Sequence, residues 1–187
     1  MQNNLKLINH PDTPCMAVES IDSTILWERG NKVTVSYAVK GVVEQLKIPP
    51  EGPANRADDL WRHTCFELFI GAKNDVEYYE FNFSPSGQWA AYEFWNYREG
   101  ALLNAADLEP KIAVRRDAEI FELSAIFRLE ALRSIQSGVR LCVGVSAVIE
   151  DLNGQLTYWA LKHPPGKPDF HHSDCFTLEL SSPGQKA

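Results

Sequence analysis

The feature that most constrains the fold is a series of short runs in which apolar and polar residues alternate, each closed by residues typical of turns. Residues 140–150 and 155–161 are two such runs, and Asn153-Gly154 between them favours a hairpin because both central turn residues adopt positive φ. Further predicted strands are residues 24–28, 32–40, 64–70, 76–83, 88–97, 111–116, 119–127 and 175–180, with 42–48 continuing the first hairpin. About ten or eleven antiparallel strands at this spacing predict an all-β sandwich or barrel.

Helical signals are confined to one short stretch. Leu129, Leu132 and Ile135 are spaced as an apolar stripe, and Gly138 follows as a stop signal, so we predict a helix over 129–135. The 187 residues show no internal repeat and no obvious interdomain linker. We therefore expect one domain over residues 1–187, with a core spanning about residues 21–180 and loose ends at 1–12 and 181–187.

The charge balance narrows the choice of partners. The chain carries 18 Lys and Arg against 25 Asp and Glu, a net charge of −7, which disfavours nucleic acid and anionic membrane surfaces. No apolar run reaches the roughly 18 residues of a membrane span and no signal-peptide pattern is present, so we expect no membrane association and a cytoplasmic location. In that compartment free thiols are expected at Cys15, Cys65, Cys142 and Cys175.

In two of the predicted strands, 64–70 and 76–83, one alternate set of side chains is entirely apolar and the other is mixed. The apolar sets, expected to face the core, are Phe66, Leu68, Ile70, Tyr79, Phe81 and Phe83. The mixed sets include Glu67, Tyr78, Glu80 and Asn82. In the next strand, 88–97, both sets contain aromatic residues, which leaves its phase open. We place Trp89, Glu93 and Trp95 on the mixed face.

This mixed face has two interpretations. Carboxylates on neighbouring strands repel each other, so a cation such as Arg62 or Arg98, water or a ligand is needed to compensate. The face is either a solvated outer surface with ordinary ion pairs or a concave platform for a ligand. On a platform, aromatic rings would stack on a sugar ring, carboxylates and Asn82 would bind hydroxyl groups, and Gly144 and Ser146 would leave room.

Residues 60–69, 78–94 and 158–171 resemble the DOMON-like superfamily, and within it the branch related to family 9 carbohydrate-binding modules. The first block reads Leu60-Trp61-Arg62-His63-Thr64-Cys65-Phe66-Glu67-Leu68-Phe69. The resemblance covers residues 21–180, and some members of this branch occur beside MurB-like dehydrogenases. It implies a jelly-roll-like β-sandwich that binds a ligand on or between its sheets.

Sugars and haem are the ligands that this resemblance implies. Family 9 modules clamp a sugar between aromatic rings, and four tryptophans compete for that role here: Trp61, Trp89, Trp95 and Trp159. Haem-binding DOMON domains use a Met and a His as axial ligands. The methionines of this chain, Met1 and Met16, both precede the expected core, so only a histidine pair remains open.

Other chemistry is less well supported by the residues. Histidines that could hold a metal or haem are His63, His163, His171 and His172, but His-His-x-x-Cys is not a strong metal-ligand spacing. Glu67 and Glu80 could form a glycosidase acid–base pair at a suitable separation. No GxSxG elbow, P-loop or dinucleotide fingerprint occurs.

We therefore expect a non-enzymatic domain without a cofactor that binds a small polar ligand, a sugar or sugar derivative. The candidate ligand-binding residues are Trp61, Glu67, Tyr78, Glu80, Asn82, Trp89, Glu93, Trp95, Arg98 and Trp159. Trp61 either caps the core or lines a cleft mouth, and Arg98 either binds an anionic ligand group or forms a surface ion pair. Two alternatives remain, an interaction or homo-oligomerisation module without a small ligand, and a haem or metal binder that uses histidines.

Overall fold

A computed structural model describes residues 2–28, 30–103, 108–129, 132, 135 and 138–181. These residues form twelve strands, and every strand pairing is antiparallel. The strands are β1 (Gln2–Asn9), β2 (Val18–Glu28), β3 (Lys32–Gly41), β4 (Cys65–Ala72), β5 (Tyr78–Phe83), β6 (Trp89–Asn96), β7 (Glu99–Leu102), β8 (Lys111–Arg116), β9 (Ile120–Arg128), β10 (Arg140–Glu150), β11 (Leu156–Ala160) and β12 (Leu178–Ser181). Short 3₁₀ turns occur at Val43–Gln45, Leu60–Arg62 and Ser173–Cys175.

The strands form two sheets, which confirms the predicted all-β antiparallel sandwich. The first sheet has the order β1-β2-β3-β9-β8, and the second has the order β7-β6-β5-β4-β10-β11 with β12 beside the start of β10. Strand β1 joins the two, because its first part pairs with β2 and its end pairs with β11. Aromatic rings meet between the sheets, as where Phe66 of β4 lies 4.8 Å from Tyr37 of β3 and 5.8 Å from Phe121 of β9 between ring centroids.

Strands β4 and β5 are buried on both faces. Their apolar sets pack in the inter-sheet core as the alternation predicts: Phe66, Leu68, Ile70, Tyr79, Phe81 and Phe83. The mixed face is covered as well, because Phe170 and Phe176 pack against Phe69 and Tyr78 in a second apolar cluster. The interpretation of this face as a solvated outer surface is therefore wrong.

Several predicted boundaries need correction. Residues 2–9 are not a loose end but strand β1, in which Leu7 packs into the core while its neighbours Lys6 and Ile8 are exposed. Residues 42–48 contain a 3₁₀ turn at Val43–Gln45 instead of a strand, and the Pro49-Pro50 sequence follows directly. The last predicted strand, 175–180, begins only at Leu178. Strand β7 was not predicted.

The Asn153-Gly154 hairpin between β10 and β11 is confirmed, with a different turn. Of its two central residues only Gly154 has positive φ, at +80°. The Asp151 carboxylate accepts backbone N–H groups of Asn153 and Gln155, which supports a longer connection.

The predicted helix over 129–135 lies largely outside the described residues. Of its stripe, Leu129, Leu132 and Ile135 are buried in the core. Residues 182–187 of the expected loose end also lie outside the described part. No helix in the described ranges combines the length and apolar character needed to span a bilayer. All four cysteines are free thiols.

Candidate functional site

A cavity of about 790 Å³ opens on the outer face of the second sheet, away from the inter-sheet core. Its floor contains Glu67 of β4 and Glu80 of β5, and we call it the Glu67–Glu80 cleft. The register explains why these carboxyl groups share a face. Glu67 lies opposite Asn82, and Glu80 is the next residue of β5 on that same side.

Both carboxyl groups are almost fully buried, with Glu67 3% and Glu80 6% exposed. Ser146 Oγ of β10 donates to Glu67 Oε2 at 3.3 Å. Asn82 Nδ2 donates to Glu80 Oε1 at 2.7 Å. In the described part of the chain, no lysine or arginine forms an ion pair with either carboxyl group.

Burial is the main cause that raises the pKa of both glutamates, because a charged carboxylate loses its hydration there. The pKa of Glu67 lies well above its ordinary value, and the nearby charge of Glu80 raises it further. The pKa of Glu80 rises to about 7, with the Asn82 hydrogen bond and the charge of Arg98 opposing the effect of burial. Near neutral pH the pair therefore retains a proton.

His171 forms one wall of the cleft beside Glu80. The backbone N–H of Arg98 donates to the Tyr78 hydroxyl at 3.1 Å, so this hydroxyl can donate to His171 Nδ1 at 2.9 Å. The other ring nitrogen, His171 Nε2, lies 3.6 Å from Glu80 Oε2. Burial, with a smaller effect of the Arg98 charge, lowers the pKa of His171 to about 4, so the ring is neutral at pH 7.

Arg98 ties the β6–β7 turn to the loop that carries His171. Its backbone φ is +56°, and its guanidinium donates to Asp169 Oδ1 at 2.8 Å. Tyr97 donates its hydroxyl hydrogen to the other Asp169 oxygen. Burial alone would raise the pKa of Asp169, but these two hydrogen bonds and the Arg98 charge lower it. Arg98 thus has its own counter-ion at the cleft edge.

Aromatic side chains form much of the remaining lining. Trp61, on the 3₁₀ turn Leu60–Arg62, is 45% exposed and lines the cleft instead of capping the core. Tyr92 of β6 lies opposite Glu80 and donates its hydroxyl hydrogen to Asp58 at 3.1 Å. Phe94 and Tyr158 also line the cleft.

The structure brings together only part of the predicted site. Trp61, Glu67, Glu80 and Arg98 line the cleft. Tyr78 and Asn82 do not line it but hold groups that do, since Tyr78 bonds His171 and Asn82 bonds Glu80. These six residues lie where one ligand could be held, directly or through these contacts.

The other four predicted residues lie elsewhere. Because Glu80 pairs with Tyr92, the alternate set of β6 faces the other way, and the placement of Trp89, Glu93 and Trp95 on the carboxylate face is wrong. Trp89 is buried in the inter-sheet core, whereas Glu93 and Trp95 are exposed. Trp159 pairs with Ala147 and also packs in the core.

Sequence reasoning omitted several residues of the cleft. Tyr92 and Phe94 belong to the other alternate set of β6 side chains, so choosing that set would have placed both residues on the carboxylate face. His171 lies in an irregular loop, where the sequence has no periodic pattern from which its spatial neighbours could be predicted. No group of three or more His, Cys, Asp or Glu side chains among the described residues is arranged to hold a metal ion.

Comparisons with known proteins describe the fold. No family model matches the chain, and no curated protein does. A proposed carbohydrate-binding protein from Bacteroides uniformis has a similar structure, with a TM-score of 0.71 and 17% identity over 97% of this chain and 85% of that one. A family 9 carbohydrate-binding module from Caldicellulosiruptor kristjanssonii in complex with glucose gives a TM-score of 0.51 and 12% identity over 89% and 78%.

The same kind of module from Caldicellulosiruptor kristjanssonii in complex with cellotriose gives a TM-score of 0.50 and 12% identity, over 89% of this chain and 76% of that one. At these identities the likeness is one of fold. The chain therefore has a β-sandwich similar to that of family 9 carbohydrate-binding modules.

Proposed function

We propose that this chain is a non-enzymatic binding protein for a carbohydrate or sugar derivative, and that the ligand occupies the Glu67–Glu80 cleft. One observation carries the proposal. Two carboxyl groups lie at the bottom of a cavity, each with one oxygen, Glu67 Oε1 and Glu80 Oε2, that no described residue hydrogen-bonds and that is not sealed from the cavity. Buried polar atoms ordinarily have partners, so a ligand with polar groups is the natural complement.

The lining suits a ring with hydroxyl groups. A carboxyl group that keeps its proton both donates and accepts hydrogen bonds, as each hydroxyl of a sugar does. The exposed indole of Trp61 offers a flat apolar face at the cleft mouth. Glu67 and Glu80 lie side by side on the floor of the cleft, on neighbouring strands, instead of facing each other across it, which favours binding over acid–base hydrolysis.

The concave shape also favours a small ligand over a flat interaction surface for a second protein or a second copy of the chain. The sequence-based expectations of a DOMON-like relationship, an association with MurB-like dehydrogenases and a cytoplasmic location remain part of this proposal.

A titration of the protein with mono- and oligosaccharides, including glucose and cellotriose, tests the proposal by two-dimensional NMR or calorimetry. We expect Trp61→Ala to weaken binding about fivefold, since loss of ring stacking costs on the order of 1 kcal/mol. Trp95→Ala is the matched control, because this indole is similarly exposed, at 54%, but lies on the opposite face.

Three results would contradict the proposal. The first is that no carbohydrate binds at millimolar concentration. The second is a loss of binding in Trp95→Ala that Trp61→Ala does not show. The third is chemical-shift changes confined to residues outside the cleft. Unfolding temperatures of both variants establish that each is folded.

A further inference from the structure

We propose that the ligand of the Glu67–Glu80 cleft carries a protonated amino group, as an amino sugar does, and that this group binds between the two carboxyl groups. The inference rests on the proposed function, because it names the class of sugar that the same cleft would take. It concerns the charge of the ligand, which sugar binding by itself leaves open.

The first argument is the missing counter-ion. Buried carboxylates are ordinarily paired with cations, since an unpaired charge is costly away from water. The arginine that lines the cleft, Arg98, is already bonded to Asp169. His171 reaches within 3.6 Å of Glu80 but is neutral at pH 7. A cation from outside the chain would complete the site.

The second argument is where the unbonded oxygens lie. Glu67 Oε1 and Glu80 Oε2 belong to side chains more than nine-tenths buried, have no hydrogen-bond partner among the described residues, and reach the cavity. An ammonium group has three N–H donors and no acceptor, which matches two acceptor oxygens on one floor. Aromatic rings at Tyr92 and Phe94 add faces that attract a cation.

The other charged groups near Glu67 and Glu80 do not remove the preference of the cleft for a cationic ligand. Asp58 and Asp59 also line the cleft, but Asp59 forms an ion pair with Arg62 at 3.4 Å and Asp58 accepts the Tyr92 hydroxyl hydrogen. Lys167 lines the cleft as well, but its side chain is exposed and forms no ion pair with either glutamate in the described part of the chain. Arg98 and Asp169 balance each other. The remaining titratable groups facing the glutamates are uncharged at neutral pH, since burial raises the pKa of Cys65, Tyr78, Tyr92 and Tyr158.

Binding of an amine has a measurable proton balance. The empty cleft keeps a proton on the carboxyl pair near neutral pH. When an ammonium group binds, the carboxyl O–H bond breaks, the proton passes to the buffer, and the ammonium N–H groups donate to the carboxylate. A neutral sugar binds without this release, so proton release distinguishes the two modes.

The experiment is calorimetry with D-glucosamine, D-glucose and N-acetyl-D-glucosamine, in two buffers that differ in ionisation enthalpy, at about pH 6.5, where the carboxyl pair is protonated. We expect D-glucosamine to bind about tenfold more tightly than the two neutral sugars, with release of a proton. Glu80→Gln should reduce this preference to less than about twofold and diminish the release, because only the Glu67 carboxyl group then supplies a proton. Glu67→Gln is the second variant if Glu80→Gln does not fold, and Glu19→Gln, an exposed residue of β2, is the control.

The outcomes separate the two proposals. Equal or tighter binding of D-glucose, or binding of D-glucosamine without proton release, overturns the amine inference and leaves the carbohydrate function standing. If cyclohexylamine binds with proton release while no sugar binds, the amine site is supported and the carbohydrate function fails. If neither a sugar nor an amine binds, both proposals are refuted.

Discussion

Replacement of Glu80 by glutamine should stabilise the protein against unfolding, and the gain should grow as the pH rises. Glu80 is nearly isosteric with glutamine, and the carbonyl oxygen of glutamine can still accept the Asn82 hydrogen bond. What the substitution removes is a carboxyl group whose charged form is unfavourable in the folded protein. Burial raises its pKa from an ordinary 4.5 to about 7.

The sign follows from the protons bound in each state. Below pH 4.5 the carboxyl group is protonated in both states and costs nothing. As the pH rises toward 7, the unfolded chain ionises freely while folded Glu80 holds its proton, so the wild-type protein loses stability. Since one pH unit corresponds to 1.36 kcal/mol, this loss is about 2 kcal/mol at pH 6 and about 3 kcal/mol at pH 8. Glu80→Gln avoids it.

Urea unfolding of the wild type and Glu80→Gln between about pH 4.5 and 8 measures the difference. Glu93→Gln is the matched control, because it makes the same change at an exposed position of the neighbouring strand. A stability difference between wild type and Glu80→Gln that does not change with pH would refute the argument from burial. So would a variant that is less stable than the wild type at pH 8.

Two further substitutions test the parts of the structure around the cleft. Asp169→Asn removes the counter-ion of Arg98, so the positive charge of Arg98 should act more strongly on Glu80 and lower the pKa of Glu80. The free energy of unfolding, measured in urea, should then fall less between about pH 4.5 and 8 than it does in the wild type. An unchanged pH profile would contradict this. Phe66→Ala should lower the free energy of unfolding by about 3–5 kcal/mol at every pH, because Phe66 is fully buried against Tyr37 and Phe121. A loss below about 1 kcal/mol in denaturant unfolding would show that the sheets do not pack through this ring.

The faces of β4 and β5 were predictable from the sequence. Each strand has one purely apolar set, so a period of two leaves Glu67 and Glu80 only one side to occupy. Strand β6 offered no such contrast, because both of its sets carry aromatic residues. Which set of β6 side chains faces the cleft is determined by its pairing with β5, where Tyr92 lies opposite Glu80. This pairing is a tertiary contact, so it cannot be read from the alternation within β6 alone.

The remaining residues of the site could not be predicted from the periodicity of the sequence, for a different reason. His171 and Asp169 belong to an irregular segment between β11 and β12, and Asp169 meets Arg98 across 71 positions of sequence. The course of such a loop depends on its tertiary contacts, here the packing of Phe170 and Phe176 over the sheet. The sequence therefore predicted the floor of the cleft, but not the wall that closes it.

The outer face of the second sheet shows why the two glutamates call for a functional explanation. Phe69 and Val148 lie on that same face and pack in its apolar cluster, so the fold accepts apolar side chains there. Apolar residues in place of buried, unpaired carboxyl groups are commonly more stable. A sequence shaped by stability alone would continue the apolar cluster across Glu67 and Glu80. The carboxyl groups instead interrupt it at the bottom of the Glu67–Glu80 cleft, where a bound ligand would offset their cost.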